Sequence, residues 1–313
     1  MESLPKDTLL EFNPNTLRDV RIEFNLDKPG RMKEAIDILE EWVKKQRHFE
    51  KKDFSREYLE ITLVTTKGLI ERAKTRLDKL CTFKTLLPQF FEIDNIKTEF
   101  AELRKFVSHS HLPKITQDHY RVYFFRINSV DADASLLLTY YKNLAIVSEY
   151  LRKREYCTGF IIILDFSEVN IMSFVTKFNV IEFRQAFTVL TEGYGLRVKG
   201  IHFLTPSKMV DTLVSIFKQV LSEKIGNRIQ VHKTVETLYQ YVSKDILPRE
   251  YGGKERSLDE LNDAWLNVIT SEEHINYMKI MNQAKTNESY RQVDKLNEEY
   301  VGMPGSFRSL SVD

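Results

Sequence analysis

The sequence predicts an α/β protein in which a helical first third leads into a sheet whose strands alternate with helices. Three observations predict it. Apolar residues recur at three-and-four spacing up to about residue 115, strand-like and helix-like periods trade places from about residue 120 to residue 242, and no low-complexity tract interrupts the 313 residues. At ~150 residues per domain, that length implies two domains with enough chain to bury a core without disulfide or metal staples.

In the first part, Ala35, Ile36, Leu39, Trp42 and Val43 mark one face of a helix running from Met32, behind an Asp27/Pro29 start signal. A second helix covers residues 56–64. Leu69, Ile70, Ala73, Leu77 and Leu80 mark a third, which ends before Pro88 because the residue preceding a proline is kept out of the helical region. Nothing in this stretch carries chemistry. At residue 120 the period changes: Tyr120, Val122 and Phe124 alternate with Arg121, Tyr123 and Phe125, as a strand requires. Helices are expected over 134–154, 179–190, 206–221 and 234–242, and strands over 160–166, 197–204 and 228–231. Alternation at this spacing implies parallel pairing through right-handed crossovers. Beyond residue 271 the sequence is charged and loses its period, so a partly docked helix and a frayed end at Gly302, Pro304 and Gly305 are expected. The expected domains are residues 1–115, 116–270 and a tail of 271–313.

Composition excludes several functions. Lys plus Arg number 46 against 45 for Asp plus Glu, so no global basic field exists to hold a nucleic acid. The longest aliphatic run, residues 161–164, is far short of the ~20 apolar residues of a membrane span. Glu2 and Asp7 stand where a secretory signal would be basic and then apolar, so a cytoplasmic location is expected, with peripheral membrane contact allowed. Cys81 and Cys157 lie outside any CxxC, which argues against a disulfide framework or a thiolate zinc site. No nucleophile elbow, phosphate loop, dinucleotide fingerprint, HExxH or EF-hand loop is present, so an enzyme is not expected. His109-Ser110-His111 reads as a solvated loop before Pro113 rather than a metal site. Asp165 ends an apolar strand where α/β folds place functional carboxylates, but without a partnered base it reads as a turn or cap residue.

The helix at 206–221 is the most telling segment. Thr205 is placed to cap it and Pro206 to open it, and Met209, Val210, Leu213, Val214, Phe217, Val220 and Leu221 form one broad apolar face opposite Lys208, Asp211 and Lys218. Periodicity alone favours an ordinary helix on the flank of a sheet.

Residues 246–253, Ile-Leu-Pro-Arg-Glu-Tyr-Gly-Gly, resemble the closing signature of the CRAL-TRIO lipid-binding family. Residues 196–203 resemble that family's central strand, 222–229 the end of its gate helix with the next strand, and 159–165 its strand closing on Asp. With residues 76–80 and 87–91 in the helical part, the likeness covers roughly residues 30–265. The resemblance implies an N-terminal helical bundle followed by a CRAL-TRIO lipid-binding domain with a mostly parallel sheet floor, flanking helices and a gate helix. It also turns the reading of 206–221 into that mobile gate.

What the resemblance implies for function is a soluble, monomeric carrier that exchanges one hydrophobic lipid of tocopherol, retinoid or carotenoid type at phosphoinositide-containing membranes. It implies no catalytic residue, no metal and no cofactor other than the bound lipid. Cavity positions carried over are Tyr140, Leu144, Ser148, Phe160, Ile162, Leu164, Phe187, Leu190, Tyr194, Leu196 and Ile201, with Val210, Leu213, Val214 and Phe217 on the gate. A phosphoinositide site carries over to Arg197, Lys199, Lys224 and Arg228, and strand periodicity places Arg197 and Lys199 on one face. The chain departs from the family at 61–67, where relatives carry an arginine-rich helix, and at Gln219, where a proline is common. A lipid-sensing adaptor without transfer activity and a phospholipid or phosphoinositide carrier remain as alternatives.

Overall fold

The structure, a computed structural model, describes residues 3–129 and 136–291. Five helices precede the sheet: α1 (Thr16–Glu23), α2 (Arg31–Lys45), α3 (Arg56–Thr65), α4 (Ile70–Leu86) and α5 (Ile96–Phe106). α2 buries Met32, Ala35, Ile36, Leu39 and Val43, the stripe its sequence advertises. α3 is different. Ser55 caps it by accepting a hydrogen bond from the Tyr58 backbone N–H, and every residue from Tyr58 to Val64 is buried. A helix buried on all sides must lie inside the protein, and α3 does: its apolar residues belong to the main core.

Strands β1 (Val107–Ile115), β2 (Tyr120–Ile127), β3 (Gly159–Asp165), β4 (Val198–Leu204) and β5 (Ile229–His232) form one sheet in sequential order. β1 runs antiparallel to β2 and the other pairs are parallel. α6 (Leu137–Leu151) connects β2 to β3; α7 (Ile171–Lys177) and α8 (Val180–Thr188) connect β3 to β4; α9 (Val210–Val220) and α10 (Glu223–Gly226) lead to β5. Crossovers of one hand between strands in sequential order put their helices on one face. That face carries Tyr123, Phe125, Leu164, Ile201 and Phe203 beneath α6, α8 and α9. Strand alternation sends Val122, Phe124, Ile161 and Ile163 to the other face, where Leu238, Ile246, Leu247, Tyr251 and the start of α11 (Leu258–Ile269) cover them.

The 246–253 signature closes that second face. Tyr251 donates to Asp165 Oδ2 at 2.6 Å, while Asp165 Oδ1 accepts from the Ser167 backbone at 2.9 Å, so the strand-end carboxylate serves a turn and a tie. A Cβ at Gly253 would collide with the Leu247 carbonyl, so only glycine fits where the chain folds back on itself.

Several elements differ from their sequence reading. The sheet begins at Val107, not near residue 120, and His109 and His111 lie buried within β1 rather than in a solvated loop. Polarity misled there: the His111 ring packs on Tyr123, Phe160 and Trp265, with centroids 4.8, 6.0 and 5.8 Å away. The helix expected from Pro206 starts at Val210, because Thr205 and Ser207 hydroxyls accept from Ser207 and Met209 backbone N–H groups and hold 205–209 as a turn. The helix expected over 234–242 is a single 3-10 turn, Val235–Leu238, followed by irregular chain. α8 continues as a π-helical turn, Val189–Gly193. α12 (Glu272–Met281) docks by Met278 and Met281; Ala134, Gly302, Pro304 and Gly305 lie outside the described residues.

One buried ion pair ties three parts together. Lys84 of α4 and Glu149 of α6, both fully buried, pair directly; Lys84 also donates to the Met281 carbonyl at 3.0 Å, and Tyr194 donates to Glu149 at 3.0 Å. Removing one partner strands a charge in the interior. Lys84→Ala should therefore lower the free energy of unfolding by about 3–5 kcal/mol in urea titrations, whereas Lys84→Met combined with Glu149→Leu should recover most of that loss.

Candidate functional site

A cavity of about 150 Å³ lies between the sheet and the helices that cross it. Its floor is Tyr123 of β2, Phe160, Ile162 and Leu164 of β3, and Ile201 of β4. Alternation explains the β3 contribution, since side chains two apart share a face. α6 supplies Tyr140, Tyr141, Leu144, Ser148 and Leu151, which recur at helical spacing along one side. α8 and the turn after it supply Phe183, Ala186, Phe187, Leu190, Tyr194 and Leu196, and the far wall is Ile61, Val64 and Thr65 of α3.

α9 closes the cavity with Phe217, helped by Leu221 just past its end. The Phe217 ring sits among Phe178, Phe183 and Phe203, with centroids 6.1, 4.6 and 5.1 Å away. Val210 and Leu213 are buried and Val214 half-buried, but these three pack on the core beside the cavity and do not line it. The remaining twelve lipid-cavity positions read from the sequence all lie on its wall.

Most polar groups on this wall are matched internally. The Tyr123 and Tyr140 hydroxyls bond each other at 2.8 Å, and Tyr194 is taken by Glu149. Burial pushes the His109 and His111 imidazoles down to about 3, so both are neutral near pH 7. Burial likewise pushes the Cys157 thiol on the cavity wall up to about 12, far from the thiolate a nucleophile needs. Among the described residues no group of three or more His, Cys, Asp or Glu is placed to hold a metal ion. The cavity can therefore enclose an apolar molecule, and Cys157 on its wall stands as a neutral thiol.

The four basic residues do not share a face. A β-bulge between Val198 and Gly200 makes Lys199 an extra residue in β4, so the alternation expected of Arg197 and Lys199 breaks. Arg197 lines the cavity, whereas Lys199 lies over the Tyr120 ring at 4.5 Å, toward the opposite core. Arg228 is half-buried and donates to the Val198 carbonyl, and Lys224 is exposed. Residues not singled out from the sequence include Tyr123, Tyr141, Phe183, Arg152 and the α3 wall. The buried run at 61–64 was the available signal for the last, because a helix without a polar face must be covered on every side.

Size bears on mechanism. An engineered apolar cavity of about 150 Å³ stays dry and holds a benzene-sized guest, whereas pockets for drug-sized ligands run to about 300–1,000 Å³. A long lipid thus requires a wall to move. α9 is the wall with its outer face in solvent: Asp211, Ser215, Lys218 and Gln219 are exposed, and no helix of the described residues is long and apolar enough to cross a membrane.

Residues 109–253 match the model of the CRAL/TRIO domain. A stretch of 116 residues is 28% identical to alpha-tocopherol transfer protein-like of Mus musculus, covering 37% of this chain and 33% of that protein. Another comparison gives 31% identity over 96 residues with clavesin-1 of Xenopus laevis, covering 30% of this chain and 29% of that protein. The chain thus spans about a third of the length of these curated relatives. The crystal structure of Sfh5 superposes with a TM-score of 0.44 at 13% identity, covering 87% of this chain and 99% of that one.

The neutral histidines make stability depend on pH. Their folded values, about 3, lie below the ~6.5 of an unfolded chain, so below pH 6.5 the unfolded state binds more protons and stability falls as pH falls. Each contributes a slope of up to about 1.4 kcal/mol per pH unit between those values and nothing above pH 6.5. Urea midpoints measured from pH 7 to pH 4 should decline accordingly, and His109→Gln with His111→Gln should flatten that decline.

Proposed function

We propose that this protein, whose residues 109–253 form a CRAL/TRIO domain, takes one hydrophobic lipid into the cavity between sheet and helices, shields it from water and exchanges it at membranes. The observation that carries this reading is the continuous apolar wall from Phe160, Ile162 and Leu164 to Phe217, where α9 covers it and turns its other face to solvent. Aromatic walls suit a ring or polyene, so the ligand is of tocopherol, retinoid or carotenoid type; the name of the relative alpha-tocopherol transfer protein-like supports the first.

The energetics set the mechanism. A ligand with ~400 Å² of apolar surface gains about 10 kcal/mol on leaving water at ~25 cal/mol per Å², yet one arriving from a bilayer gains almost nothing, because it was already dry. Exchange between bilayer and cavity is thus nearly thermoneutral, and control passes to cavity shape, a few polar contacts and the opening of α9. Opening withdraws Phe217 from its aromatic neighbours and presents the same apolar face to lipid. Lys224, exposed just beyond α9, and Arg228 behind it supply positive charge for an anionic phosphoinositide surface.

Transfer of a fluorescent tocopherol or retinoid between two vesicle populations tests the proposal. Wild-type protein should accelerate transfer, and Lys224→Glu with Arg228→Glu should slow it on the order of tenfold with phosphoinositide-containing acceptors, at ~1 kcal/mol per cation before screening. Affinity in solution should be nearly unchanged in that variant. Phe217→Asp should reduce retention and transfer together. Binding without any transfer would favour the lipid-sensing adaptor, and a chemically altered ligand would favour an enzyme.

A further inference from the structure

At the end of the cavity against α3, three arginines converge. Arg152, at the C-terminal end of α6, is 2% exposed and donates to Thr62 Oγ1 at 3.0 Å and Thr65 Oγ1 at 3.5 Å. Arg76 of α4 donates to the carbonyl of the same Thr65 at 2.6 Å. Arg197, entering β4, donates to the Cys157 carbonyl at 3.1 Å and lies over the Phe24 ring at 4.5 Å. Arg152, Arg197, Thr65 and Gly195 all line the cavity. Gly195 permits the convergence: its φ is +82°, and a Cβ there would collide with Arg76 Nη1 and stand 2.8 Å from Thr65 Cβ.

Each guanidinium keeps one buried donor unused: Arg76 Nε, Arg152 Nε and Arg197 Nη1 have no hydrogen-bond partner. Of the neighbouring carboxylates, Glu155 on the cavity wall pairs with Arg121, Glu149 pairs with Lys84 through one oxygen and keeps Oε2 without a hydrogen-bond partner, and Glu192 pairs with Lys79. Arginine does not shed its proton in proteins, so the usual escape of a buried charge is closed. Burial holds Arg76 down to about 10, with the positive charges of Arg152 and Arg197 adding to the effect and Glu192 opposing it. Burial lowers Arg197 as well. Two permanent cations on the cavity wall, Arg152 and Arg197, each with an idle buried donor and with Arg76 beside them, are complementary to an anion attached to an apolar body.

We infer that the α3 end of the cavity, at Arg152 and Arg197 with Arg76 beside them, is a carboxylate site, so that the preferred cargo is a lipid acid, a retinoid acid among the ligand types proposed above, whose head group sits on these arginines and whose body lies toward Phe217. This rests on the carrier reading and names its substrate class. A carboxylate suits the site because it is planar, compact and accepts two parallel N–H bonds from one guanidinium.

Matched probes differing only in the head group test it: all-trans-retinoic acid against all-trans-retinol, and oleic acid against oleyl alcohol, titrated below their aggregation limits by quenching of tryptophan fluorescence. At least one acid should bind about tenfold or more tightly than its alcohol, as expected for hydrogen bonds to charged groups. Arg197→Gln and, separately, Arg76→Gln should remove most of that preference. Because the acid-to-alcohol ratio is read on wild-type protein, the test survives a variant that fails to fold. Equal affinity for acid and alcohol, or competition by millimolar acetate as strong as by the lipid acid, would overturn the carboxylate inference alone. Failure of all four probes to bind would overturn the carrier reading with it.

Discussion

Sequential strand order is the constraint on which the rest of this molecule depends. With β2 to β5 parallel and adjacent in chain order, every crossover lands on one face of the sheet, and the helices must arch over that face without filling it. The opposite face is then left to irregular chain from Leu238 to Tyr251 and to the first turns of α11, which cover it with small, tightly folded contacts. A cavity on one side and a closed seam on the other are two consequences of a single topology. Asp165 joins them, because it ends a cavity strand and receives the Tyr251 hydroxyl from the seam.

The helical N-terminal part is a wall of the site, not an appendage. α3 closes the cavity with Ile61, Val64 and Thr65, and it could do so only as a helix buried on every side. Its threonines 62 and 65 receive the guanidinium of Arg152, so polarity enters an otherwise apolar interface at the place where the two parts meet. The Lys84–Glu149 pair lies in the same seam and adds Tyr194 and the Met281 carbonyl to it. Buried charge in this interface joins the parts and leaves two guanidiniums, Arg152 and Arg197, on the cavity wall.

Legibility in the sequence followed periodicity closely. α2, α4 and α9 carry a helical apolar period, α3 and β3 a dense apolar run, and β2 and β4 strand-like stretches, and each was readable. β1 was not, because its inward positions include His109 and His111, and a histidine that packs against aromatic rings looks the same in sequence as one in water. Lys199 was misassigned because a bulge inserts one residue and reverses the alternation beyond it, a register effect that no single strand's sequence contains. The arginine site was invisible for a further reason: Arg76, Arg152 and Arg197 come from three elements far apart in the chain, and the turn at Gly195, which lies against Arg76 and Thr65, leads into the last of them. Cavity residues on β3 and α6, by contrast, share one strand face and one helix face, so a resemblance sufficed to pick them out.

Native mass spectrometry of the protein purified without detergent, followed by organic extraction, tests the central claim most directly. The account predicts one hydrophobic small molecule per chain, released when the protein unfolds and identifiable in the organic phase. A fully folded preparation that carries only the mass of the polypeptide, and that stays empty after incubation with lipid vesicles, would contradict it.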